Sequence, residues 1–260
     1  METGEPARDA SENDTVQLAA RLGYVASGIL HVVLAFITLS LAWGSSTTSA
    51  DQSGALAMLA DTGVGRVLLW VLVASFAGLG SWQATAAVAG KQGRDAAARG
   101  KGAAKTILYA ALAWSAFGFA RGSGGSSSQR TSDVTASLMS APGGRLAITV
   151  VGVAVLGVGG YHVVKGWQRR FLHDLREHPG AWAVWSGVLG YVTKGVSLGI
   201  MGALFLAAAW TASSSKAAGL DGALRTLRDE PQGQWLLTLV AIGIAAYGSY
   251  SFARARHARV

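Results

Sequence analysis

The chain has 260 residues, of which 51% are hydrophobic and only 14% are Asp, Glu, Lys or Arg, with a formal net charge of +8 and a mean hydropathy of +0.35. Soluble domains carry about 25% charged residues, so this composition excludes both a water-soluble globule and a chain disordered over most of its length. The absence of cysteine removes disulfides, thiolate metal sites and thiol catalysis.

Residues 1–17 hold Glu2, Glu5, Asp9, Glu12 and Asp14 and no apolar core, so they read as a disordered cytoplasmic tail and not a cleavable signal. Beyond them, long gaps between charges mark the elements. Arg21 to Asp51 encloses 29 uncharged residues, and Arg66 to Lys91 encloses 24. A shorter stretch, Ala103 to Ala120, begins with Lys105 and spans the bilayer if that side chain snorkels to the interface. Arg145 to Lys165 encloses 19, Lys194 to Lys216 encloses 21 and Glu230 to Arg254 encloses 23. A bilayer core requires about 20 apolar residues in helical form. Six transmembrane helices are therefore expected.

All four prolines (Pro6, Pro142, Pro179, Pro231) fall in the tail or loops, where a missing backbone donor costs little. Basic residues are unequally shared. The N-tail, loops 2–3 and 4–5 and the C-tail carry 15, whereas the opposite side carries 7. The positive-inside rule then places both termini in the cytoplasm. The same excess favours anionic lipid headgroups on the inner side and leaves nucleic acid unnecessary as a partner.

The chain also repeats itself. Leu22-Gly23-Tyr24-Val25 recurs as Leu189-Gly190-Tyr191-Val192, and Gly54-Ala55-Leu56 as Gly222-Ala223-Leu224. Gly65 matches Gly233, and Leu68-Leu69 matches Leu236-Leu237. A weaker middle copy places Gly144-Arg145 against Gly65-Arg66. Each copy reads as a helix leaving the cytoplasm, a Gly/Ser-rich stretch, a short segment at the outer interface, then a return helix. Three hairpins inserted in one direction are parallel repeats, over residues 18–92, 98–172 and 182–256. The fold class expected is an all-α membrane protein of three parallel hairpins forming a pseudo-threefold bundle.

These motifs, with Ala246-Tyr247 closing the third copy, resemble the bacterial domain-of-unknown-function family 1206, a two-helix membrane unit that typically occurs three times per chain. The resemblance spans about residues 18 to 255 and implies an integral membrane protein. It implies no activity, cofactor or catalytic residue.

Five side chains could form an intramembrane polar site: His31, Lys105, Tyr109, His162 and Lys194. His31 lies about 14 Å into the first span at 1.5 Å per residue, and an ionisable group there is a functional candidate by default. The alternative is a neutral imidazole bonded to a neighbouring helix, which its repeat counterparts Tyr109 and Leu198 favour. Lys105 and Lys194 share one repeat position, where the first copy has Ser27, and read as snorkelling lysines or as an anion-binding pair. His162 and Lys165 read as inner-interface anchors.

No Asp or Glu occurs in the six spans, which argues against carboxylate-coupled proton transfer, metal sites and paired-carboxylate catalysis. The serines lack a nucleophile elbow, and Gly157-Val158-Gly159-Gly160 lies inside a span and not after a strand. An enzyme is not expected. Gly195 and Gly199, and the face Ala241, Ala245 and Ser249, suit close helix packing. The reading is an integral plasma-membrane protein with a structural or accessory role and a possible membrane-protein partner. The alternative is a small channel or transporter along the pseudo-threefold axis.

Overall fold

The computed structural model describes residues 14–44, 47–89, 96–176 and 179–257. The tail before residue 14, and Lys91 and Arg94 of loop 2–3, lie outside these residues. Among the described residues there are nine α-helices and no strand.

In chain order they are α1 (Asp14–Trp43), α2 (Gln52–Ala60), α3 (Gly63–Ala89), α4 (Ala96–Ala120), α5 (Ser127–Met139), α6 (Gly144–Trp167), α7 (Ala181–Thr211), α8 (Gly219–Asp229) and α9 (Gly233–His257). A long, a short and a long helix recur three times, which is the repeat seen in the sequence. The six long helices contain stretches apolar and long enough to cross a membrane, including the weakest, Gly102–Ala120. The expected tail of 1–17 is corrected at its end, because α1 already begins at Asp14.

The chain divides into two compact units, residues 56–125 and the remainder, with the boundary inside α2. In the smaller unit α3 packs along α4 through aromatic contacts. Phe76 stacks on Tyr109 at 6.4 Å, and Trp70 meets Phe117 edge-on at 5.8 Å.

In the larger unit α6 packs along α7, and α9 packs along both α1 and α7. Apolar side chains gain little from meeting each other in lipid, so close helix contact depends on small residues. Here the small residue is glycine at seven-residue spacing. A Cβ added to Gly159 would lie 2.8 Å from the Gly195 carbonyl oxygen and 3.0 Å from the Gly199 amide nitrogen. One added to Gly152 would lie 3.1 Å from the Gly202 carbonyl oxygen, and one on Gly166 would lie 3.0 Å from the Val192 amide nitrogen. Gly195 and Gly202 return these contacts from α7. The expected Gly195/Gly199 pair is thus half of the answer: a Cβ on Gly199 would meet open space. The Phe252 ring similarly fills the place of a side chain on Gly28, seating α9 against α1.

The helix ends away from the termini, expected to be the outer ones, are tied by two buried carboxylates. Asp51 Oδ1 accepts from the Ser53 and Gly54 amides at 2.8 and 3.1 Å, capping α2, while its Oδ2 accepts from the Ser128 hydroxyl of α5 at 2.9 Å. Asp221 of α8 accepts from the Ala50 amide at 2.7 Å and from Arg225 Nε at 3.0 Å. At the opposite end, expected to be the inner one, the 3-10 turn Arg170–Asp174 folds back and buries Phe171 completely against Tyr191 and Tyr250. Gly65, Gly144 and Gly233, each at the start of a return helix, all lack room for a Cβ against a preceding carbonyl, of Leu59, Leu138 and Arg228 respectively.

Gly159→Ala is expected to destabilise the protein by about 1–3 kcal/mol through overpacking of backbone against backbone. Gly157→Ala, two residues away with nothing within 4 Å of an added Cβ, should be neutral or slightly stabilising. Thermal unfolding of the two variants in the same detergent checks this contrast.

Candidate functional site

Three of the five candidate residues lie in the larger unit: His31 on α1, His162 on α6 and Lys194 on α7. Lys105 and Tyr109 lie on α4 in the smaller unit, where Lys105 is exposed and Tyr109 stacks on Phe76.

The structure brings His31 and Lys194 together. Both line a partly open cavity of about 140 Å³ bordered by α1, α7, α9 and the start of α8. Its wall is otherwise mainly apolar, including Leu34, Leu198, Met201 and Ile244. His31 is half-buried, and its Nδ1 donates to the Ser27 carbonyl at 2.7 Å, one turn back. That bond commits the Nδ1 proton, so a neutral ring presents a lone pair at Nε2. The imidazole lies against the ring of Tyr247 with centroids 4.7 Å apart. The Lys194 ammonium lies over the same ring at 4.6 Å. Tyr247 is therefore the shared floor for two basic groups delivered by different repeats.

The α1 and α7 contributions are related by the repeat. Ser27 and His31 occupy the positions of Lys194 and Leu198. Both members of each pair are four residues apart, on one face of a helix. The repeat thus turns two equivalent faces toward each other and fills them with different chemistry.

His162 sits elsewhere in the unit. Its Nδ1 donates to the Val158 carbonyl at 2.8 Å, and its ring stacks on Tyr191 at 5.9 Å. The adjacent Lys165 lies over Tyr191 and pairs with Asp174 at 2.8 Å. Arg254 lies over the Tyr24 ring at 4.3 Å and donates to its hydroxyl at 3.0 Å. These contacts bind the inner turn and the last turn of α9 to the bundle.

Two cavity residues escaped the sequence reading. Tyr247 stood in a repeat motif and was legible as family pattern without a role. Ser197, 7% exposed, lines the cavity with its hydroxyl unpaired. Its signal was its position one turn beyond Lys194 on the same helix face. The aromatic cluster of Phe171, Tyr191, Tyr247 and Tyr250 was not foreseen, because Phe171 lies in a loop segment far from the spans it packs against.

Against known proteins, the family profile described as Domain of Unknown Function (DUF1206) matches residues 22–90, 101–169 and 189–258. With three matches over most of its length, the chain belongs to this family. It is also similar to "Uncharacterized protein YxxB" of Bacillus subtilis (strain 168), with 26% identity over 243 residues covering 89% of this chain and 87% of that protein. No solved structure matches the chain.

Replacing His31 separates its hydrogen bond from its basicity. His31→Gln keeps an amide donor within reach of the Ser27 carbonyl and should leave the unfolding temperature almost unchanged. His31→Phe keeps the ring contact with Tyr247 but loses the donor, and is expected to cost about 1 kcal/mol. Thermal unfolding of both variants in detergent measures the difference.

Proposed function

We propose that this DUF1206 family member is a non-enzymatic structural or interaction protein of the bacterial plasma membrane, with both termini in the cytoplasm. The observation that carries the reading is the seam of Gly152 and Gly159 against Gly202 and Gly195, continued by Gly166 against Val192. It presses backbone to backbone along two spans, an arrangement suited to a rigid body and poorly suited to one that opens. The aromatic cluster around Phe171 fills the inner end of the same unit with buried rings and supports the same conclusion.

The lipid-facing surface agrees. Large apolar side chains such as Phe36, Trp70, Ile107 and Leu146 are exposed, as suits contact with acyl chains. Trp43 and Trp210 lie at the outer ends of α1 and α7, and Trp167, Trp182 and Trp185 at inner ends, all exposed. Such rings anchor helices at the headgroup level. Arg169, Arg170 and Arg256 are exposed near the inner ends, where anionic headgroups are the partner that their charge suits. A membrane protein partner would meet the apolar flanks between these belts.

Reporter fusions test the orientation. Fusions after Gly122 and after Val260 are expected to report opposite sides, with the latter cytoplasmic; agreement between the two would overturn the topology. Flux assays test the rigid-body reading. Proteoliposomes holding the full chain should show no more ion or proton flux than empty vesicles between about pH 5 and 8. A flux lost on His31→Gln substitution would replace this reading with that of a channel or transporter.

A further inference from the structure

The basic groups inside the larger unit differ in how they are balanced. Lys165 has Asp174 at 2.8 Å and Arg225 has Asp221 at 3.0 Å, whereas Arg254 has the neutral Tyr24 hydroxyl at 3.0 Å and a buried Nε without a partner. For Lys194 the contact is the face of Tyr247, and among the described residues no carboxylate pairs with it. The six spans contain no Asp or Glu that could do so. A half-buried ammonium beside a mainly apolar wall and without a paired carboxylate favours an anion drawn from outside the spans.

The surroundings of Lys194 fit a bound anion. Ser197, one turn further along α7, is 7% exposed and holds a hydroxyl with no hydrogen-bond partner. It lines the same cavity as the lysine. Ammonium and hydroxyl therefore converge from one helix face on a volume of about 140 Å³. That is close to the roughly 150 Å³ at which an apolar cavity takes up a six-carbon ring. Beyond these two donors, Leu198, Met201 and Ile244 offer hydrocarbon contact.

We propose that this cavity binds the carboxylate end of an aliphatic acid, with the oxygens held by Lys194 and Ser197 and the carbon chain lying against Leu198, Met201 and Ile244. The charge count favours a singly charged anion over a phosphate monoester or free phosphate dianion, and the small volume favours a carboxylate over a bulkier phosphodiester. One ammonium balances one negative charge, and the Nδ1 proton of His31 is already given to Ser27. The acid comes either as a short soluble molecule or as a fatty acid whose tail continues into the bilayer. The chemistry at Lys194 is the same for both.

The test uses the full chain in phosphatidylcholine nanodiscs and equilibrium dialysis against labelled hexanoate and, separately, labelled oleate, with empty nanodiscs as the blank. Saturable uptake of at least one acid, close to one per chain and undisturbed by hexanol or inorganic phosphate, is expected. Uptake of hexanoate identifies a soluble acid as sufficient, and uptake of oleate alone identifies a membrane-derived one; either supports the site. Lys194→Met should weaken binding by about tenfold or more, Ser197→Ala should weaken it less, and Lys105→Met, an exposed lysine of the other unit, should leave it unchanged. No saturable uptake of either acid, displacement by phosphate, or equal binding by Lys194→Met overturns the proposal. If Lys194→Met does not fold, Ser197→Ala decides: undiminished binding by that variant overturns the proposal as well.

Discussion

Hydrocarbon offers helices no reason to associate through apolar side chains, since lipid tails serve each of them equally well. Association must come from something lipid cannot supply, and in the larger unit that is direct contact between backbones. Gly152 and Gly159 of α6 meet Gly202 and Gly195 of α7, and Gly166 meets the backbone at Val192, with no space for a single methyl group. Once this seam fixes α6 on α7, the inner turn is positioned to insert Phe171 beneath Gly187. The Tyr191 and Tyr250 rings then close around it. The candidate cavity uses the other side of α7, so its geometry inherits the seam's rigidity.

The polar anchors at the outer end follow a different logic. Asp51 and Asp221 are buried yet fully used, each accepting several hydrogen bonds from backbone amides, hydroxyls or arginine. A buried carboxylate without such partners would be costly. With them it fixes the path of the linker between α1 and α2 relative to α5 and α8. Arg225 and Arg228 extend the grip to the Thr48 and Gly44 carbonyls. Elements from all three repeats are thereby joined by short polar contacts.

The six spans were legible because charge is so costly in hydrocarbon that its absence marks the bilayer. The repeat was legible because the same glycine is required wherever a return helix starts against a preceding carbonyl, as at Gly65, Gly144 and Gly233. The seam was not. Gly159 stood in a glycine-rich run whose members look alike in sequence, although Gly157 faces open space and Gly159 meets Gly195. The carboxylates were overlooked for a similar reason: a loop Asp reads as solvated until tertiary contacts bury it. Of the candidate site, His31 and Lys194 were visible as unusual residues in apolar surroundings. Their convergence on Tyr247 depends on which helices become neighbours, and one chain's periodicity carries no information on that.

The pairing of α1 with α9 joins segments at opposite ends of the described chain, with Tyr24 and Arg254 separated by 230 positions. A ribosome adding roughly 5–20 residues per second takes roughly 10 to 50 s to cover that interval. Throughout it the groove at Gly28 lacks the Phe252 ring that fills it in the finished protein. Closure of the larger unit thus waits for its last helix, and the timing of synthesis sets when the Tyr247 side of the cavity comes into being.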